Sequence, residues 1–112
     1  MKDDKFYVIH VLEEIARLEK FAAEGKEAFL SSDLIRYAVL RSLQTLGESI
    51  KRLSERVKAA YPEVDWRGIV ALRNLLVHDY LDIDPEEIWN IVALDAPVLK
   101  GQMQKVLREL VS

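Results

Sequence analysis

Apolar side chains recur along this chain at intervals of three and four residues, and no stretch alternates strictly between apolar and polar. Three-and-four spacing is the period of an amphipathic α-helix, whereas alternation would signal a half-buried strand. The first such segment runs from about residue 4 to 23, with Val8, Leu12, Ile15 and Leu18 on one stripe and Ile9, Val11 and Ala16 widening it. Asp3 or Asp4 is placed to cap its start, and Gly25 to stop it. The following EGKEAFLSSD reads as a connector in which Phe29 and Leu30 form a small apolar anchor.

Ser31 or Ser32 then caps a second, longest helix, with Asp33 favourable in its first turn. Its stripe is Ile35, Val39, Leu43, Leu46, Ile50, Leu53 and Val57, a heptad-like run expected to end before Pro62. Such a run serves either as bundle core or as a seam with a second copy. Gly47 lies inside it at a cost of ~1 kcal/mol relative to alanine, which points to a close helix approach there. Asp65 opens a third helix. Asp84 caps another, with Pro85 at its first position and Glu86 and Glu87 at its positive end. Beyond these, Ile88, Trp89, Ile91 and Val92 lead through a break or kink near Pro97 to Leu99, Met103, Val106, Leu107 and Leu110. The expectation is an all-α bundle of four to five helices, forming one domain over residues 1–112.

Composition narrows the classes of function. Half of the residues are hydrophobic and 31% are charged, which suits a folded domain rather than a disordered chain. The net charge of −3 and pI near 5.4 are unlike a general nucleic-acid coat, so any nucleic-acid contact must use a local basic patch. Cysteine is absent, which excludes disulfides, thiol catalysis and thiolate zinc sites. No apolar run is long enough for a membrane span, and MKDDKF lacks the pattern of a secretion signal, so a cytoplasmic location is expected. Four scattered glycines make no phosphate loop, and His10 stands among apolar neighbours as a satisfied or half-exposed histidine rather than a metal ligand. Neither metal nor cofactor is expected. The acidic pairs Asp3–Asp4, Glu13–Glu14 and Glu86–Glu87 suit caps and solvated faces.

The segment RNLLVHDY, residues 73–80, concentrates the chemistry. On a helical wheel from Trp66, the side chains of Ile69, Val70, Leu72, Leu76 and Val77 form a broad apolar arc, with Leu75, Leu76 and Val77 filling the interior. Arg73 falls near the middle of that arc. A guanidinium does not shed its charge, so Arg73 needs a buried partner, with Glu48 a candidate, or a polar cleft. His78 falls beside Asn74 and Arg67, away from the arc and open to solvent. Imidazole trades protons near neutral pH, and a fixed cation stabilises charge on a phosphate; together they outline phosphoryl chemistry. The alternative is an ion-paired Arg73 that only supports the fold, with His78 at a helix end. Five residues turn a helix by about 140°, so one straight helix does not direct Arg73 and His78 at the same phosphate. Either the helix ends or distorts near Val77, or a second subunit completes the site.

Arg73-x4-His78-x-Tyr80 resembles the RX4HXY signature of the HEPN family, and within it the HepT-type toxins encoded beside a minimal nucleotidyltransferase antitoxin. LGESIKRL, the Pro62-x3-Trp66 lead-in, LRNLLVHDY and IDPEEIW follow in the order the family shows, so the resemblance covers roughly residues 37–107. It implies a metal-independent endoribonuclease acting on single-stranded RNA as the toxin of a type VII-like toxin–antitoxin pair. Arg73 and His78 would carry catalysis, with Asn74 supporting them. Glu48 and Arg52 match a Glu-x3-basic pattern on the family's second helix. The family further implies a symmetric homodimer with facing motifs, and antitoxin control by AMP transfer to Tyr80. Lys51, Lys58 and Arg67 are candidate guides for RNA phosphates, each also readable as an ordinary solvated residue. The rival reading is a non-catalytic HEPN subunit that binds and assists a nucleotidyltransferase.

Overall fold

A computed structural model describes residues 3–79 and 82–112 of the chain. Every regular element among them is helical: α1 (Asp4–Phe21), α2 (Lys26–Ser31), α3 (Asp33–Lys51), α4 (Glu55–Ala60), α5 (Trp66–Asp79), α6 (Pro85–Asn90), and α7 (Ala96–Val111) after a π-helical turn at Ile91–Asp95. The all-α bundle expected from the periodicity is therefore present.

The three-and-four pattern becomes the core. Val8, Val11, Ile15 and Leu18 of α1, Val39, Leu43, Leu46 and Ile50 of α3, and Leu99, Met103 and Val106 of α7 are buried together. Fully burying one such aliphatic side chain contributes about 1.5–3 kcal/mol. Helix α1 packs between α3 and α7, and α5 lies on α3. Helix α5 is held by few anchors: only Trp66 and Leu76 are buried on it, with Ile69, Val70 and Leu72 half-buried.

Local chemistry sets the boundaries. Asp3 caps α1 by accepting from Phe6 N at 3.0 Å, and Ser32 caps α3 by accepting from Ile35 N at 3.2 Å. Gly25 adopts φ 94°, a conformation that only glycine takes readily, and starts α2 within the segment expected to be a connector. The long second helix breaks earlier than expected, after Lys51. Ser54 caps a separate α4 by accepting from Val57 N at 3.2 Å. Asp4 holds Ser54 there, accepting from its amide at 2.8 Å and its hydroxyl at 2.7 Å. This clasp joins residues 50 apart in sequence, so no local pattern announces it. Asp65 and Asp84 cap as expected, accepting from Gly68 N at 3.1 Å and Glu86 N at 2.9 Å. The break near Pro97 takes the form of the π turn immediately before it, a helical irregularity that accommodates the missing N–H of Pro97.

Among the described residues, no helix is long and apolar enough to cross a membrane.

Candidate functional site

Helices α3 and α5 run antiparallel, and Gly47 lets them meet. A Cβ added at Gly47 would run into Arg73 Cβ, and would lie 3.6 Å from Arg73 Cα. The missing side chain thus seats the stem of Arg73 directly on α3. Three residues further toward the N-terminus of α3, Gln44 donates to the Leu76 carbonyl at 3.4 Å. These two contacts fix both the register and the closeness of the pair.

Arg73 reaches across to Glu48, with Nη2 2.8 Å from Oε2. That oxygen is buried yet accepts no well-aligned hydrogen bond, so the contact is an ion pair lying off the N–H direction. Nη1 of Arg73 donates to Asn74 Oδ1 at 2.9 Å. Arg52, four residues on and just past the end of α3, approaches the other oxygen of Glu48 at 3.3 Å. The Arg52 pKa is raised further above its usual range, first by the Tyr7 hydroxyl of α1 and then by Glu48. The result is a chain of polar groups, Arg52–Glu48–Arg73–Asn74, that joins the end of α3 to α5, with Tyr7 of α1 acting on Arg52. Two guanidinium groups share one carboxylate, so the cluster keeps a net positive charge. The sequence pattern suggested Glu48, Arg52 and Arg73; Tyr7 was missed, because nothing near residue 7 signals a contact with residue 52.

His78 is exposed, as its wheel position indicated. Helix α5 continues unbroken through Asp79, so His78 stays about 140° around the helix from Arg73. Of the two ways considered for bringing both groups to one phosphate, a break in the helix near Val77 is therefore removed. The apolar residues around the motif differ from expectation in one respect. Leu76 is fully buried, but Leu75 and Val77 are 46% and 43% exposed. They flank the buried Leu76 on either side of α5, about 200° apart around the helix. Leu34 and Tyr37, exposed on the N-terminal half of α3, extend toward the same end in the antiparallel register. Tyr80 lies outside the described residues.

Lys51, Lys58 and Arg67 come together: all three line one groove of about 460 Å³ between the end of α3, α4 and the first half of α5. Asn74 closes the end nearest Arg73. The other histidine is accounted for within the bundle. His10 Nδ1 lies 2.6 Å from Ser49 Oγ, and its Nε2 is 3.6 Å from the buried Glu14, which also pairs with Arg17 at 3.0 Å and accepts from Ser42 Oγ at 2.9 Å. This cluster staples α1 to α3. Among the described residues, no group of three His, Cys, Asp or Glu side chains is arranged to hold a metal ion.

A family profile described as "Ribonuclease HepT-like" matches residues 11–106. A Thermococcus cleftensis protein named "Probable ribonuclease HepT" is 33% identical over 106 residues, covering 94% of this chain and 96% of that protein. A Methanocaldococcus jannaschii protein whose name proposes an RNase is 32% identical over 106 residues, covering 94% and 97% respectively. A second protein of that organism, named for a gamma-glutamylcyclotransferase and a proposed RNase, is 32% identical over 97% of this chain, which spans 50% of its length. No solved structure matches the chain.

Proposed function

The chain belongs to the HepT-like ribonuclease family, and we propose that it cleaves single-stranded RNA without a metal, using Arg73 and His78 contributed by two facing copies. The observation that carries this reading is the Arg73–Glu48–Arg52 cluster. Its carboxylate positions Arg73 but leaves one cation in excess, as a phosphate site requires. The off-axis ion pair leaves N–H donors of Arg73 free to turn toward a phosphate.

RNA carries its own nucleophile. His78 takes the proton from the 2′-hydroxyl as that oxygen attacks the neighbouring phosphorus, or returns a proton to the departing 5′-oxygen. Arg73 stabilises the charge that gathers on the non-bridging oxygens. The P–O5′ bond breaks, leaving a 2′,3′-cyclic phosphate and a 5′-hydroxyl. The unbroken α5 directs the two groups apart on one chain, so the second group comes from a two-fold partner.

Tyr80 is the proposed control point. AMP transferred to its hydroxyl by a nucleotidyltransferase antitoxin adds a bulky negative charge two residues along the sequence from His78, which repels the RNA phosphates and blocks the substrate without unfolding the domain.

The test is incubation of the purified protein with single-stranded RNA in EDTA, beside Arg73→Ala and His78→Ala. Cleavage to cyclic-phosphate ends that both substitutions abolish supports the assignment. Cleavage unaffected by either defeats it. An inert wild type with a folded His78→Ala and an unfolded Arg73→Ala favours the rival reading, in which the Arg73–Glu48 pair serves the fold of a non-catalytic subunit.

A further inference from the structure

The groove containing Lys51, Lys58 and Arg67 has a floor as well as a charged rim. Trp66, Val70 and Ala71 form the floor, and the Trp66 indole is fixed there by donating to the carbonyls of Lys58 at 3.1 Å and Tyr61 at 3.0 Å. On the rim, Lys58 lies 3.8 Å from Glu55, whereas among the described residues no carboxylate comes within ion-pair distance of Lys51 or Arg67. Three cations against one carboxylate leave a local excess of positive charge on a chain whose net charge is −3. An apolar floor beneath unpaired cations suits an unstacked base with its phosphates, and a paired base has no free face to offer it.

The groove also points somewhere. Arg67, Ala71, Asn74 and His78 are all exposed, and they follow one another at intervals of four, three and four on a single face of α5. The line from Arg67 to His78 rises about 16 Å along the helix. Asn74, which belongs to the groove, also accepts the hydrogen bond from Arg73.

We propose that this groove is a nucleotide subsite for single-stranded RNA, flanking the bond that is cut. A base rests on Val70, Ala71 and the edge of Trp66, and its phosphates lie on Lys51, Lys58 and Arg67. The strand then follows the α5 stripe past Asn74 to His78. This rests on the ribonuclease reading for its substrate, and adds a binding residue set and a direction for the strand.

Binding is measured separately from cleavage, by fluorescence anisotropy of a labelled single-stranded RNA in the non-cleaving His78→Ala background across a salt series. Replacing Lys51 and Arg67 together by glutamine is expected to weaken binding on the order of tenfold, and to lower the salt slope by about 1.4, or 0.7 for each lost phosphate contact. Glu55→Gln, which removes the opposing charge, is expected to tighten binding a few-fold. It decides the matter even if the double variant folds poorly. Unchanged affinity and slope in a folded double variant, or weaker binding by Glu55→Gln, would overturn the subsite. A wild type that cleaves while the groove variants bind like the parent removes the subsite alone. A wild type that binds through the groove but never cleaves removes the nuclease reading alone.

Discussion

Replacing Gly47 by alanine adds one methyl group at the point where α3 and α5 touch. The new carbon would overlap Arg73 Cβ and lie only 2.9 Å from its Cγ. These are stem atoms next to the backbone, so no rotation of a flexible side-chain tip relieves the clash, and α5 must shift outward. Overpacking of this kind costs about 1–3 kcal/mol. Alanine's better helix propensity returns about 1 kcal/mol. The net loss of about 0–2 kcal/mol is small beside a typical domain stability of roughly 5–15 kcal/mol. At about 4–8 °C per kcal/mol for a domain near this size, the melting temperature falls by no more than roughly 15 °C. Activity suffers more, because Arg73 is carried outward with α5, and a displacement of about 1 Å at a catalytic group costs roughly a hundredfold. The assays are a thermal melt by circular dichroism and a single-turnover RNA cleavage time course. A Gly47→Ala protein that folds and cleaves like wild type would refute the claim that this contact places Arg73.

Other consequences follow from the same geometry. Glu48→Gln keeps the shape but leaves Arg73 without its counter-charge; RNA affinity should rise while kcat falls about tenfold, read as a split between KM and kcat. The partly exposed pair contributes only about 0.2–1 kcal/mol, so the melt should shift by a few degrees at most. Asp4→Ala leaves the Ser54 amide and hydroxyl without their acceptor and should cost about 1–3 kcal/mol, measured by urea unfolding, with RNA cleavage retained at temperatures where the protein stays folded. Tyr61, hydrogen-bonded to Glu109, has its pKa raised above the usual 10.0. Since the folded value lies above the unfolded one, its stabilising effect is complete below pH 10 and is lost as pH rises through the folded value. Ultraviolet titration of Tyr61→Phe should therefore lack one phenolate step that the wild type shows above pH 10. Tyr80→Phe should abolish neutralisation by the antitoxin, and mass spectrometry of the co-expressed pair should find AMP on Tyr80 in the wild type; an adduct on another residue would defeat that assignment.

The helices were legible because burial imposes a period on the sequence. The caps at Ser32, Asp65 and Asp84 were legible because capping needs a short oxygen-bearing side chain at a fixed offset. The break after Lys51 was not, because the heptad stripe continues through Leu53 and Val57, which are both buried in the core on either side of the turn. Ser54, which caps α4 after the break, is held by Asp4, far away in sequence. At the site, the misfit of Arg73 on an apolar arc pointed to a partner, and Glu48 supplies one. The wheel put Val77 on the apolar arc, which assumes a neighbour all along it, whereas α5 packs mainly on α3; Leu75, expected inside for its apolar character, falls on the far side of that arc and is exposed. Lys51, Lys58 and Arg67, unremarkable one by one, gained meaning only when α4 and α5 folded back to set them around one groove.

The central claim is that one active site takes Arg73 from one copy and His78 from the other. Mixing Arg73→Ala with His78→Ala, each inactive alone, tests it most directly. Subunit exchange makes about half of the dimers mixed, and each mixed dimer holds one intact composite site of its two, so about a quarter of wild-type cleavage should return. A mixture that exchanges subunits, shown by differently tagged copies, and stays as inactive as its components would contradict the account.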